Sequence, residues 1–252
     1  LIFVPVFCGE LIEIVLNMPA ACVIFTNNTP TIKFCMSLND NPILLILDLD
    51  ETLIHASVNE LDRPADFKVF NYYIYTRPNL ESFLHQVNTH FRLAVWSSAS
   101  DDYVAEVVKR IFPPEIHLAF VWGNSRCTPY FPRFHDESET HPHNFGHYRY
   151  AKKLNKLRKR GWSLDRVLIV DDTPQKVQFN YGNAIYASEW TGQRDDNELY
   201  YLAFYLQSLS RSENVRRIEK RNWKEKLINN AASFLEQAFD INDAENKNTG
   251  HN

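Results

Sequence analysis

The hydrophobic pattern of the chain changes period several times, and each change marks an element. Ile43 to Leu47 is an unbroken apolar run that ends in Asp48-Leu49-Asp50-Glu51-Thr52-Leu53. A strand buried on both faces of a parallel sheet has this continuous form, whereas a strand with one wet face alternates. Residues 55–66 are polar and include Asp62, Pro64 and Asp66, so they read as a loop. Phe67 to Thr76 alternates among β-branched and aromatic residues, which predicts a hairpin or short strand. Pro78 suits the first turn of a helix, and Leu80, Phe83, Leu84 and Val87 follow at helical spacing. Phe91 to Trp96 reads as a second core strand ending at Ser97-Ser98, Asp101 to Ile111 as a helix, and Leu118 to Trp122 as a third strand.

Residues 123–148 show no sustained period and are rich in Gly, Pro, His and aromatics. From His147 to Arg160 the pattern predicts a basic amphipathic helix with Leu154 and Leu157 inward. Arg166 to Val170 is another apolar strand, again closed by acids, Asp171-Asp172, and Ala184 to Tyr186 is a last short strand. Glu198 to Leu209 and Val215 to Phe239 are expected helices. Strands alternating with helices give an α/β class with a doubly wound, Rossmann-like parallel sheet.

Composition narrows this picture modestly. A chain of 252 residues has room for one large α/β domain. Its net charge of −4 gives no case for a nucleic-acid partner. Cys8, Cys22 and Cys35 precede the apolar strand and only Cys127 follows it, which is no disulfide framework and suits a reducing compartment.

Residues 1–35 are apolar but irregular, broken by Glu10, Glu13, Asn17 and Pro19, with no basic residue before Lys33. Neither a signal peptide nor a spanning helix fits that order, so no membrane partner is expected, with a membrane-associating leader as the competing reading of this segment. Met36, just upstream of the first core strand, is the expected natural start, with 1–35 a non-native or weakly ordered extension. The expected layout is then a domain over 36–210, a C-terminal helix packing on it over 211–240, and a frayed tail over 241–252.

Candidate chemistry gathers at strand ends. Parallel sheets bind ligands beyond the carboxyl ends of their strands. Asp48 and Asp50, spaced i, i+2, leave one strand end on the same side, so one can attack or bind a metal while the other handles a proton. Asp171-Asp172 closes a second apolar strand and Ser97 a third. Taken singly, Ser97 is an ordinary strand-end serine, and Lys152 is one of several cations on a basic face with Lys153, Lys156, Arg158, Lys159 and Arg160.

Together these residues resemble the haloacid dehalogenase superfamily of phosphoryl-transfer enzymes, over Ile43 to about Leu209. Leu47-Asp48-Leu49-Asp50-Glu51-Thr52-Leu53 with Val167 to Pro174 is similar to the branch of RNA polymerase C-terminal-domain phosphatases and nuclear-LIM-interactor-interacting-factor-like proteins. Arg77-Pro78 and Tyr150-Ala151-Lys152-Lys153-Leu154 fit that branch. The resemblance implies a Mg²⁺-dependent phosphomonoesterase with Asp48 as nucleophile and Asp50 as acid and base. Superfamily transport ATPases carry Thr at the position of Asp50.

By the same resemblance the metal takes the Asp48 side chain, the Asp50 carbonyl and Asp172, with Asp171 beside it as a ligand or through water. Some members of the branch have Asn where this chain has Asp172; the extra charge should tighten metal binding. Ser97, with Ser98, would hold phosphoryl oxygens, Lys152 would neutralise charge on the phosphoryl group and Asp48, and Thr52 would fix the loop. Arg126 is the expected arginine at the rim of the substrate site.

Between Asp50 and Ser97 there is room for a loop, a hairpin, one helix and a strand, so a small flap and a short insert stand where relatives carry a large cap. An open site suits a phosphorylated protein or peptide; a small phosphorylated metabolite is the first rival, and a catalytically silent binding module of the same fold the second. A cytoplasmic location, or a nuclear one in a eukaryote, is expected. Trp96 and Trp122 are expected in the core, and His135, His141, His143 and His147 as surface loop residues rather than a metal site.

Overall fold

The computed structural model describes residues 21–26, 29–34, 42–131 and 149–229. Two units are distinct, residues 1–41 and 42–252. In the first, β1 (Ala21–Thr26) pairs antiparallel with β2 (Thr29–Phe34), a hairpin that the irregular apolar pattern did not announce.

The second unit is built on a five-stranded parallel sheet. Its strands are β3 (Ile43–Leu47), β7 (Phe91–Trp96), β8 (Val121–Trp122), β11 (Val167–Asp171) and β12 (Ala184–Tyr186), in the order β12-β11-β3-β7-β8. The sheet winds outward from β3 in both directions, the doubly wound arrangement expected. All five β3 residues are fully buried, which is why the strand carries no polar break. Leu45, Leu47, Leu93 and Val95 face one apolar layer with α1 (Leu80–Asn88), α2 (Asp101–Ile111) and α5 (Glu198–Leu209). Leu44, Ile46, Ala94 and Trp96 face a second layer with Leu154, Leu157 and Val177. Trp96 and Trp122 meet edge to face at 4.9 Å within that layer, as core residues.

Between Asp50 and α1 lies a flap of three antiparallel strands, β4 (Ile54–Ser57), β5 (Phe67–Val69) and β6 (Tyr72–Thr76), in the order β4-β6-β5. β4 corrects the expectation that 55–66 is wholly loop: Ile54 to Ser57 pairs with Thr76 to Tyr73, and only Ile54 is deeply buried, so its pattern is too short to show. The third core strand is also shorter than the pattern suggested, although Ala119 N donates to Leu93 O and Val95 N to Phe120 O ahead of it.

The largest correction concerns the basic segment. No helix runs from His147 to Arg160 among the described residues; Arg149–Ala151 is a strand, β10, paired with β9 (Thr128–Tyr130), and a single helical turn, α3 (Asn155–Arg158), follows. Lys152 therefore sits in the link after a strand. Likewise Val215 to Phe239 is not one helix: Val215–Arg217 is a 3-10 turn, and a helix occupies 223–229. The four insert histidines and the 241–252 tail lie outside the described residues.

Candidate active site

The chain leaves β3 at Asp48 and turns sharply. Glu51 has φ of +60°, an uncommon left-handed conformation for a side-chain-bearing residue. It is held there by hydrogen bonds from Glu51 N to Ile54 O and from Leu53 N and Ile54 N to Leu49 O. Arg77 braces the turn from behind: its Nη1 donates to Thr52 O at 3.0 Å, while Nε and Nη2 donate to Asp196 as a bidentate pair at 2.8 and 2.9 Å. Such a fork is rigid and charge-assisted, which suits a buried guanidinium.

Asp48 is 1% exposed and lies between two cations. Lys152 Nζ is 2.7 Å from its Oδ1 and 2.6 Å from Asp171 Oδ2. Lys176 Nζ is 3.8 Å from Asp48 Oδ2. Burial alone would pull the Lys152 ammonium down, but Asp171 and Asp48 outweigh it and hold the lysine protonated well above its ordinary range. Burial pushes the Asp171 carboxyl up to about 6 against the pull of Lys152.

Lys152 reaches this depth through its backbone. Its N–H donates to Lys176 O, its carbonyl accepts from Asn180 Nδ2, and Asn180 Oδ1 takes the N–H of Leu154. Lys153, the neighbour not chosen by spacing, instead covers the Phe179 ring at 4.3 Å.

Asp50 faces different groups. Tyr103 OH donates to its Oδ1 at 2.8 Å and Ser97 Oγ to its Oδ2 at 3.2 Å. Burial, with the charge of Asp48 added, raises its carboxyl above the usual range, and the two hydroxyls only partly offset this. Ser97 Oγ also accepts from Ala99 N, which fixes the hydroxyl at the end of β7.

Thr52 Oγ1 donates to Asp172 Oδ1 and Thr173 Oγ1 to Asp172 Oδ2. One carboxylate oxygen from each of Asp48, Asp171 and Asp172 lies within 4.8 Å of the others. The Lys152 ammonium lies 2.7 Å from Asp48 Oδ1, whereas the buried Asp48 Oδ2 has no hydrogen-bond donor among the described residues and only Lys176 at 3.8 Å. A buried carboxylate oxygen without a donor, clustered with two further carboxylates, is the donor set of a hard cation such as Mg²⁺, and the residues present fit that ion.

Of the residues chosen from sequence, Asp48, Asp50, Thr52, Ser97, Lys152, Asp171 and Asp172 converge here. Ser98 is half-buried one residue along. Arg126 is exposed on the turn after β8 with its guanidinium 5.9 Å from the Trp122 ring centre, and no contact joins it to the carboxylates among the described residues. Two residues were missed. Tyr103 reads as one more apolar position of the α2 stripe, so its hydroxyl gave no separate signal. Lys176 follows the acidic pair by four residues on a single turn, α4 (Pro174–Val177), and no local pattern marks it.

A family model described as NLI interacting factor-like phosphatase matches residues 43–216. The chain is similar to CTD small phosphatase-like protein 2 of Dictyostelium discoideum, 31% identical over 181 residues covering 69% of this chain and 28% of that protein. It is also similar to human carboxy-terminal domain RNA polymerase II polypeptide A small phosphatase 1, 28% identical over 185 residues covering 70% of this chain and 63% of the relative. The chain thus spans less than two thirds of either relative. A solved structure of Fcp1, an essential RNA polymerase II CTD phosphatase, aligns with a TM-score of 0.43 and 19% identity over 83% of this chain and 67% of that one. With the family model spanning the whole strand-end site and the sheet that carries it, the chain belongs to the NLI interacting factor-like phosphatase family.

Proposed function

We propose that this domain is a phosphomonoesterase that works through a phosphorylated Asp48 and acts on phosphoserine or phosphothreonine in a protein. The observation that carries the reading is the unequal pair at the end of β3: Asp48 has the Lys152 ammonium 2.7 Å from its Oδ1, while Asp50 meets only neutral hydroxyls at its oxygens among the described residues and is pushed toward its protonated form by burial and the charge of Asp48. A nucleophile and a general acid need that difference.

Asp48 Oδ forms a bond to phosphorus as the bond to the leaving alkoxide breaks, and the Asp50 proton passes to that alkoxide. Asp50, now a carboxylate, takes a proton from water as the water oxygen bonds to phosphorus and the Asp48 O–P bond breaks. Ser97 and Lys152 hold phosphoryl oxygens in line, the positioning and charge stabilisation that dominate this chemistry. Mg²⁺ would be held by the Asp48 side chain, the Asp50 carbonyl and Asp172, and would supply charge neutralisation between carboxylate and phosphate.

A protein substrate is favoured because, among the described residues, only the three-stranded flap and α1 stand between Asp50 and β7, with no large cap there to enclose a small phosphate. The names of the relatives, with their polymerase C-terminal-domain phosphatases, point the same way. A cytoplasmic or nuclear setting follows from the same reading; no helix among the described residues is long and apolar enough to cross a membrane. The test compares phosphoserine and phosphothreonine peptides with sugar and nucleotide phosphates at saturating Mg²⁺. Higher kcat/KM on the peptides is expected; a preference for small phosphates would overturn the substrate class, and aryl phosphate hydrolysis that survives metal removal would overturn the mechanism.

A further inference from the structure

Lys176 has no part in the reaction as described, yet it enters the site. Its Nζ is 3.8 Å from Asp48 Oδ2, the oxygen turned away from Lys152. Its backbone is pinned on both sides, with N–H donating to Thr173 O and carbonyl accepting from Lys152 N, so the stem must start beside the acidic pair. The side chain is 25% exposed, against 0% for Lys152, so of the two lysines beside Asp48 it is the one in contact with solvent. Its charge is felt at Asp48, Asp171 and Asp172, the same three carboxylates whose oxygens cluster.

We infer that Lys176 is a mobile counter-ion to the metal site, which keeps divalent-ion binding weak until a phosphate arrives. The inference rests on the proposed metal-assisted phosphatase reading and deepens it. With no substrate, the ammonium neutralises the outer oxygen of Asp48 and repels an incoming dication, because like charges a few ångströms apart in a half-buried site interact strongly. A phosphate brings two negative charges to the mouth. Lys176 then exchanges Asp48 for a phosphoryl oxygen, and the repulsion is relieved. Metal and phosphate therefore favour each other's binding, as a shared coupling free energy requires. The lysine also answers the charge that Asp172 adds to the acidic pair.

The test measures Mg²⁺ binding to the whole chain by calorimetry, alone and with inorganic vanadate as the phosphate mimic. In the native protein, Mg²⁺ alone should bind weakly and vanadate should tighten it about tenfold or more. In Lys176→Met, which removes the charge but keeps the length and offers no oxygen ligand, Mg²⁺ alone should bind about tenfold tighter and the vanadate effect should shrink. Lys176→Arg should keep native behaviour, which separates charge from packing. A melting curve for each variant reports folding, and the added stabilisation by Mg²⁺ gives a second readout of the same affinity. Mg²⁺ binding that is unchanged or weaker in Lys176→Met overturns the inference and leaves the phosphatase reading intact. No Mg²⁺ binding to any of the three proteins, with or without vanadate, overturns both.

Discussion

Asp48 and Asp50 are two residues apart on one strand end, but the molecule surrounds them differently. The Asp48 side is closed and cationic: Lys152, fully buried, bridges it to Asp171, and Lys176 faces its other oxygen. The Asp50 oxygens instead accept hydrogen bonds from two neutral hydroxyls, those of Tyr103 and Ser97. A cation favours the ionised carboxylate, whereas burial without one favours the acid. On the proposed mechanism, identical side chains take the parts of nucleophile and proton carrier through their neighbours alone. The lysines come from beyond β10 and from α4, whereas the hydroxyls come from β7 and α2, so the division follows the two sides of β3 in the sheet.

The sharpest way to break this contrast is to remove each carboxylate in turn. Asp48→Asn should lower kcat by about 10⁴-fold on any phosphate ester, with no burst of product, since nucleophile losses are of that order or larger. Asp50→Asn should instead give one rapid equivalent of phenol from an activated aryl phosphate and then stall, because the phosphorylated enzyme forms but is not hydrolysed. Rapid-quench kinetics distinguish the two, and equal bursts would remove the assigned roles.

Next in size is Lys152→Met. It strips the cation from the Asp48 side and leaves two carboxylates buried together, which should cost about 4 kcal/mol of stability, read as a lower urea midpoint, besides abolishing turnover. A midpoint close to native would mean that the buried cation contributes little to folding.

Tyr103→Phe perturbs the other side more gently. One hydrogen bond of about 1 kcal/mol is lost, so kcat on alkyl phosphates should fall about fivefold. Activated aryl phosphates, whose leaving group needs no proton, should lose less in the first step. Equal losses on both would assign Tyr103 to packing instead.

The smallest effect is on stability against pH. Burial, with the nearby charges of Asp50 and Asp172, pushes the Glu51 carboxyl from an ordinary 4.5 up to about 7. Between those values the folded metal-free protein holds a proton that the unfolded chain has released, so stability should fall as pH rises from about 4.5 to about 7. Burial raises Asp50 and Asp171 in the same direction. Glu51→Gln should therefore flatten part of the slope in melting temperature but not all of it.

What local pattern could show, it showed well. Ile43 to Leu47 and the apolar strand before Asp171 are continuous because both faces of each strand are covered, and residues at the carboxyl ends of neighbouring parallel strands must come together. That rule alone unites Asp48, Asp50, Ser97, Asp171 and Asp172. The periodicity of α1, α2 and α5 is equally plain, since each buries one stripe against the sheet.

The sequence by itself therefore determined the sheet, its helices and the acids at its rim, all of which rest on short-range period and burial. Only the tertiary structure decided which charges those acids meet. The Arg149 to Ala151 strand depends on pairing with Thr128 to Tyr130 across the insert, so composition alone suggested a basic helix there. Lys152 reaches the core because Lys176 and Asn180, distant in sequence, bind its backbone. The Tyr103 hydroxyl and the Lys176 ammonium gain their roles from residues 53 and 128 positions away, Asp50 and Asp48, and no local pattern encodes contacts of that range.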